Sequence, residues 1–271
     1  MRGRVLVVAG SDSGGGAGIQ ADIKAVTALG AYAATAVTAL SAQSTLGVFG
    51  VWPVPPDVVR QQIDVVLADL GADAIKTGML HDAAIVEVVV EALGRGAPGA
   101  PLVVDPVMVA KGGASLLAAE AKDAVVRRLL PRAAVVTPNA PEAEALTGIA
   151  VHDAASMDRA ADALLDLGAR AALVKGGHVE GSVVRDRLVG RDGLRLWLEG
   201  PRIETRSTHG TGCTLASAIA AGIAQGRPLE EAVRRAHHYV REAIARAPGL
   251  GGGHGPLDHG WTVDLARVDR A

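Results

Sequence analysis

Short runs of aliphatic and β-branched residues alternate along this chain with longer stretches of helical spacing. That alternation restricts the fold to strands joined by crossover helices. Strands are predicted at residues 5–8, 35–40, 74–76, 102–104, 134–137 and 172–175. Helices are predicted at 19–29, from Pro56 onward, and at 85–93, 122–130, 142–146, 157–167 and 229–244. In the helix that Pro56 and Asp57 start, Val59, Ile63, Val66 and Leu70 fall three or four apart and share one face. The last helix repeats the pattern through Leu229, Ala232, Val233, Ala236, Tyr239, Val240 and Ile244. The run VWPVPP at 51–56 carries three prolines and reads as a breaker. Residues 183–189 and 194–198, separated by GRDG, read as a hairpin. Together these elements predict an α/β fold of three layers, a mostly parallel central sheet flanked by helices. No polar linker, composition shift or fixed-period repeat divides the 271 residues, so a single domain over 1–271 is expected.

Composition says what such a core is made of. Hydrophobic residues are 49% of the chain but aromatic residues only 2%, so Ala, Val, Leu and Gly must fill the interior and the layers must approach closely. The formal charge is −2, and charges of both signs are spread along the sequence, which calls for neither nucleic acid nor a membrane surface as partner. A single cysteine, Cys213, excludes an intramolecular disulfide and a cysteine-built zinc site, and fits a reducing cytoplasm. The N-terminal apolar run is about six residues and ends in a Gly/Asp/Ser turn, far short of the roughly 20 residues of a membrane span.

Several glycine-rich loops invite nucleotide-site labels, and most of those labels fail. AGSDSGGGAGIQ at 9–20 fits G-x-G-x-x-G in no register, and G-x-x-x-x-G-K-[ST] is absent. GRGAPG at 94–99 matches formally but lies between a predicted helix and a strand, the reverse of the dinucleotide context. H-E-x-x-H and G-x-S-x-G are also absent. The stretch STHGTGCT at 207–214 is different. It opens directly into the predicted helix LASAIAAGIAQG, so its backbone N–H groups and the positive end of the helix dipole suit an anion. The same field is expected to favour Cys213 as a thiolate.

Polar residues also stand at predicted strand ends. Asp105 closes the strand PLVV, Asn139 follows AVVTP with Glu142 three residues on, and Lys175 closes the next strand in VKGGH. Asn139 and Glu142 at helical spacing can put two oxygens on one face, where they could hold magnesium through water. Each residue also suits an ordinary turn, cap or solvated end.

The chain resembles the ribokinase-like kinases, and within them the hydroxymethylpyrimidine/phosphomethylpyrimidine kinases of thiamin biosynthesis. The resemblance is carried, in family order, by AGSDSGGGAGIQAD (9–22), TALSAQSTLGV (38–48), KTGML (76–80), VVDPVMVAKGG (103–113), TPNAPEAEAL (137–146), VKGGH (174–178), THGTGCTLASAIAA (208–221) and GHGPL (253–257). It implies a ribokinase-like fold, ATP as phosphoryl donor with Mg2+, a small-molecule pyrimidine substrate and a homodimer. It places Gly10, Asp22, Gln43, Met79 and Val107 around the pyrimidine, Asn139, Lys175 and Thr208 along the nucleotide, and Asp105 and Glu142 near the metal. Gly210, Thr211 and Gly212 are expected to offer N–H groups to the transferring phosphoryl, with Cys213 facing the substrate hydroxymethyl. Gln43 suits its task independently, because an amide supplies both donor and acceptor to an aminopyrimidine edge; Met79 also suits plain core filling.

Where the family often has Lys in the last helix, this chain has His237, which is charged only part of the time near neutral pH and is therefore left outside the expected site. Two other readings follow from the same residues. One is a pyridoxine or pyridoxal kinase of the same superfamily, whose substrate is also a hydroxymethyl heteroaromatic. The other is a pyrimidine-binding sensor without catalysis, which would have no use for a full phosphoryl-transfer set.

Overall fold

The computed structural model describes residues 2–108, 119–264 and 266. Nine strands form one sheet: β1 (Arg4–Asp12), β2 (Tyr32–Ser44), β3 (Gly47–Pro53), β4 (Ala74–Thr77), β5 (Leu102–Val104), β6 (Ala133–Val136), β7 (Ala171–Val174), β8 (Val183–Gly190) and β9 (Arg195–Pro201). Their spatial order is β3-β2-β1-β4-β5-β6-β7-β8-β9. The six strands from β2 to β7 are mutually parallel, while β3 at one edge and the β8–β9 hairpin at the other run antiparallel to their neighbours. Among the described residues eight α-helices accompany them: α1 (Gly18–Ala28), α2 (Pro56–Asp69), α3 (Ala83–Gly96), α4 (Ala119–Ala124), α5 (Ala140–Thr147), α6 (Ala154–Asp166), α7 (Thr211–Ala224) and α8 (Leu229–Ala245).

Strand alternation divides the interior into two layers. Val5, Val7 and Ala9 of β1 face α1, α7 and α8, whereas Leu6 and Val8 face the side covered by α2 and α3. The first layer is built largely of alanine, with Ala216, Ala218, Ala220 and Ala221 of α7 buried beside Val233, Ala236 and Tyr239 of α8. Gly222 lets these helices touch, since a Cβ there would lie 2.8 Å from that of Ala232. The poverty in aromatic residues is thus the composition of a close-packed helix-on-sheet layer.

Two predicted elements differ. The proline-rich run at 51–56 was expected to break the chain, yet Val51 to Pro53 complete β3, with Leu40 opposite Trp52 and Ala39 opposite Pro53. An edge strand tolerates proline because one side of its backbone has no neighbour to satisfy. The helix expected over 122–130 is a short α4 followed by a π turn at Val125–Leu129 and a 3-10 turn at Leu130–Arg132, where Pro131 cannot donate a backbone hydrogen bond. Residues 109–113 of the VVDPVMVAKGG motif lie outside the described residues.

One polar contact ties three elements together beneath the sheet's C-terminal rim. Lys76 of β4, fully buried, donates to both oxygens of Asp22 on α1 at 2.9 Å, and Ser217 of α7 donates to the same carboxylate at 2.7 Å. Burial disfavours the charged form of Lys76, but the Asp22 carboxylate, together with the negative field of Asp105, outweighs it and keeps the ammonium charged. Removing one partner leaves a buried charge without compensation, so Lys76→Met is expected to cost about 3–5 kcal/mol in urea unfolding. Adding Asp22→Leu should recover part of that loss; a single-variant cost below about 1 kcal/mol would contradict the ion-pair reading.

Candidate active site

The parallel strands end on one rim, and the loops leaving it enclose a cavity of about 760 Å3. Open α/β sheets bind their ligands at that rim, outside the carboxyl ends of the strands. Gly10 arrives on β1, Gln43 on β2, Met79 just after β4, and Asp105 and Val107 just after β5. Asn139 and Glu142 come from the start of α5, Lys175 from the residue following β7, and Thr208, Gly210, Thr211, Gly212 and Cys213 from the turn into α7. All of these line the one cavity. Asp22 does not: it lies beneath, fully buried, with its carboxylate occupied by Lys76 and Ser217.

On the acidic side, Asp105 is 2% exposed and accepts from Lys175 Nζ at 3.1 Å and from Thr137 Oγ1 at 3.2 Å. Burial would lower the Lys175 pKa, but Asp105 and Glu142 reverse the effect and hold it above the usual lysine value. Asn139 and Glu142 form a reciprocal cap on α5, in which Asn139 Oδ1 accepts from Glu142 N at 2.9 Å and Glu142 Oε2 accepts from Asn139 N at 2.8 Å. The capping role and the position on the cavity coexist. Burial, aided by the negative field of Asp105 and opposed by Lys175, pushes the Glu142 carboxyl up to about 7.

On the opposite wall, Gly210 caps α7 at φ +80°, with no side chain to occupy the helix's first N–H groups. A Cβ at Gly212 would stand 3.1 Å from Lys175 Nζ and 3.6 Å from Asp105 Oδ2, so its absence keeps open the gap between the turn and the charged pair. The thiolate expected of Cys213 is not what this environment favours. Burial pushes the thiol up to about 12, Asp22 and Asp105 add to the rise, and Lys76 and the Gly18 N–H only partly oppose it. Desolvation and two carboxylates together outweigh Lys76 and the Gly18 N–H, so this environment favours the neutral thiol.

Three cavity residues were not singled out from the sequence. Asp12 and His209 meet across the cavity floor, with His209 Nε2 2.8 Å from Asp12 Oδ2. Asp186, on β8, accepts from Gly176 N at 2.8 Å and has its carboxyl pushed up to about 6 by burial. His237 also lines the cavity, and burial next to Arg241 and His238 drives its pKa down to about 4, so it adds no fixed charge. The chain separation of 197 residues between Asp12 and His209 explains why no local spacing announced their pairing. Among the described residues no group of three His, Cys, Asp or Glu side chains is placed to hold a metal by itself, and no helix is long and apolar enough to cross a membrane.

The phosphomethylpyrimidine kinase family model matches residues 12–258 of the chain. The chain belongs to that family. It is 51% identical over 260 residues to the hydroxymethylpyrimidine/phosphomethylpyrimidine kinase of Streptomyces coelicolor, covering 96% of this chain and 95% of that protein. Among solved structures it resembles the phosphomethylpyrimidine kinase of Clostridium difficile, with TM-score 0.78, 41% identity, and coverage of 89% and 99% of the two chains. It also resembles the pyridoxal kinase of Staphylococcus aureus in complex with pyridoxal, with TM-score 0.88, 35% identity, and coverage of 96% and 94%. The family's ribokinase-like architecture is therefore that of this chain.

The turn before α7 allows a direct test. Any Cβ at Gly210 would overlap the carbonyl oxygen of Gly16, in addition to requiring a left-handed backbone. Gly210→Ala is therefore expected to destabilise the protein by more than the roughly 1–2 kcal/mol of the left-handed conformation alone, measured by chemical denaturation. A smaller change would show that the two loops are not in contact.

Proposed function

We propose that this cavity carries out the phosphoryl transfers of its family: from ATP to the hydroxymethyl group of 4-amino-5-hydroxymethyl-2-methylpyrimidine, and then to the resulting monophosphate, on the route to thiamin. The observation that carries the reading is the convergence of Lys175, the Asp105/Glu142 pair and the N-terminal turn of α7 on one cavity whose other side presents Gln43. Phosphoryl transfer asks for in-line positioning and for positive charge around the moving group, and little covalent work. Lys175, held protonated, and the amides at Gly210, Thr211 and Gly212 supply that charge, while the missing side chain of Gly212 leaves room for the group to pass. Asn139 and Thr208 lie along the nucleotide, and Gly10, Met79 and Val107 form the walls about the ring.

The residues present fit Mg2+. Asp105 and Glu142 offer hard carboxylate oxygens from the loop after β5 and the first turn of α5, and the lack of a third protein ligand among the described residues suits an ion that retains water and phosphate oxygens in its shell. When bound there it neutralises phosphate charge. Burial has already made Glu142 sensitive to any positive charge placed beside it.

A neutral Cys213 does not meet the substrate alcohol as a preformed base. The Gly18 N–H faces its sulfur, and the thiol directs the hydroxyl toward the phosphoryl; the hydroxyl proton passes to an oxygen of the transferring phosphoryl group as the new O–P bond forms and the bond to ADP breaks. In the second transfer the nucleophile is a phosphate whose second pKa is about 6, already an anion that needs no base.

A mass-resolved assay with ATP, magnesium and the hydroxymethylpyrimidine, with pyridoxal run in parallel, is expected to show monophosphate followed by diphosphate. Turnover of pyridoxal alone would instead support the pyridoxal kinase reading, and magnesium-dependent product from neither would support the sensor. Cys213→Ala is expected to slow the first transfer by about tenfold or more relative to the second. Equal losses would remove any role specific to the alcohol.

A further inference from the structure

The amide of Gln43 lies between His209 and Ser41, and these neighbours decide which of its ends is the acceptor. Its Nε2 lies 3.3 Å from His209 Nε2, and its Oε1 lies 3.2 Å from Ser41 Oγ. Asp12 decides the character of the imidazole nitrogen. The Asp12 carboxylate accepts from Gly14 N at 2.8 Å, Gly16 N at 3.1 Å and Ala17 N at 2.8 Å, and its Oδ2 is 2.8 Å from His209 Nε2. An acceptor-only group so placed requires the proton on Nε2. A protonated Nε2 then faces the NH2 of Gln43, donor against donor.

Rotating the amide by half a turn relieves every partner. Gln43 Oε1 then accepts from His209 Nε2–H, shared with Asp12. Gln43 Nε2 donates to Ser41 Oγ, whose single hydrogen is already given to the Ser11 carbonyl at 2.8 Å. The oxygen and nitrogen of an amide are interchangeable by shape, so the hydrogen-bond network must assign them. The backbone of Gln43 is held as firmly: its N–H meets Ser13 Oγ at 2.8 Å, and Ser13 Oγ donates to its carbonyl at 2.8 Å.

We infer that His209, fixed by Asp12, is a positioning residue for substrate recognition: it sets which end of the Gln43 amide is the acceptor, and so which donor and acceptor pattern the heterocycle must offer. The inference rests on the reading of Gln43 as a residue that faces the pyrimidine. A ring presenting an amino group beside a ring nitrogen matches a fixed amide, whereas a ring with a different edge meets at least one like group. His209 thereby links discrimination of the ring to the loop that leads into α7, since Gly210 follows it directly.

A double-mutant cycle tests this. KM for the pyrimidine, KM for ATP and kcat are measured for His209→Ala, Gln43→Ala and the double variant, with thermal unfolding of each. His209→Ala is expected to raise pyrimidine KM about tenfold at unchanged ATP KM, and to have no further effect once Gln43 is alanine. His209→Gln, which can place an N–H donor near the position of Nε2, should recover most of the loss. Should His209→Ala fail to fold, Ser41→Ala takes its place in the cycle, because it removes the other anchor of the same amide and should also be silent in the Gln43→Ala background. Effects of His209 and Gln43 that multiply independently overturn the inference while leaving Gln43 as a pyrimidine contact. A Gln43→Ala variant with unchanged pyrimidine KM removes that reading itself, and the inference with it.

Discussion

The carboxylate of Asp12 is the contact on which the site depends. Three backbone N–H groups of the β1–α1 loop and one imidazole from the turn before α7 converge on it. Glycine-rich loops lose more conformational entropy on ordering than any others, and they keep one shape only where their amides are satisfied. Asp12 supplies that satisfaction within a loop containing Gly14, Gly15 and Gly16, then extends it to a second loop almost two hundred residues away. The contact also brings Gly16 against Gly210, where neither can carry a side chain: a Cβ on Gly16 would meet the His209 ring, and one on Gly210 would meet Gly16. Burial works to raise the Asp12 pKa, but hydrogen bonds from His209, Ala17 and Gly14 hold it below the ordinary carboxylate value, so the clamp remains charged at neutral pH.

Below this clamp, the layered core sets the electrostatics of the cavity floor. Small side chains allow α1 and α7 to lie close to the sheet, and that closeness lets Lys76 on a central strand reach Asp22 on α1, whose carboxylate also accepts from Ser217 on α7. The same closeness desolvates Cys213. A thiol at a helix N-terminus is usually made more acidic, and here the surrounding burial reverses the direction. Lys175, by contrast, gains two carboxylates at the cavity wall and stays charged. The site thus sets a neutral sulfur apart from a charged lysine, an arrangement that suits the proposed transfer, which needs charge at the moving group more than at the nucleophile.

Much of this was legible in the chain. Alternation of strand and helix periods located the parallel strands, because apolar runs with turns at both ends have few other uses. The polar residues ending those runs, Asp105, Asn139 and Lys175, pointed to the rim that became the cavity. Less visible were features that depend on neighbours remote in sequence. The β3 edge strand hid behind its prolines, since only the absence of a further strand makes Pro53 tolerable there. Asp22 carried the signature of a site residue, but the lysine that occupies it lies 54 residues away on another element. The raised pKa of Cys213 was hidden for the same reason, as helix position can be read from spacing whereas desolvation cannot. Asp12 and His209 were both within quoted motifs, yet no local pattern tells that two glycine loops share one carboxylate.

The proposed transfer depends on the geometry of the turn at Gly210, Thr211 and Gly212. A crystal structure with a non-hydrolysable ATP analogue, magnesium and the hydroxymethylpyrimidine tests it most directly. The terminal phosphate should lie against the amides of that turn, between Lys175 and the substrate hydroxymethyl, with Cys213 beside the alcohol oxygen. A triphosphate bound elsewhere on the protein, leaving the turn facing only solvent, would contradict it.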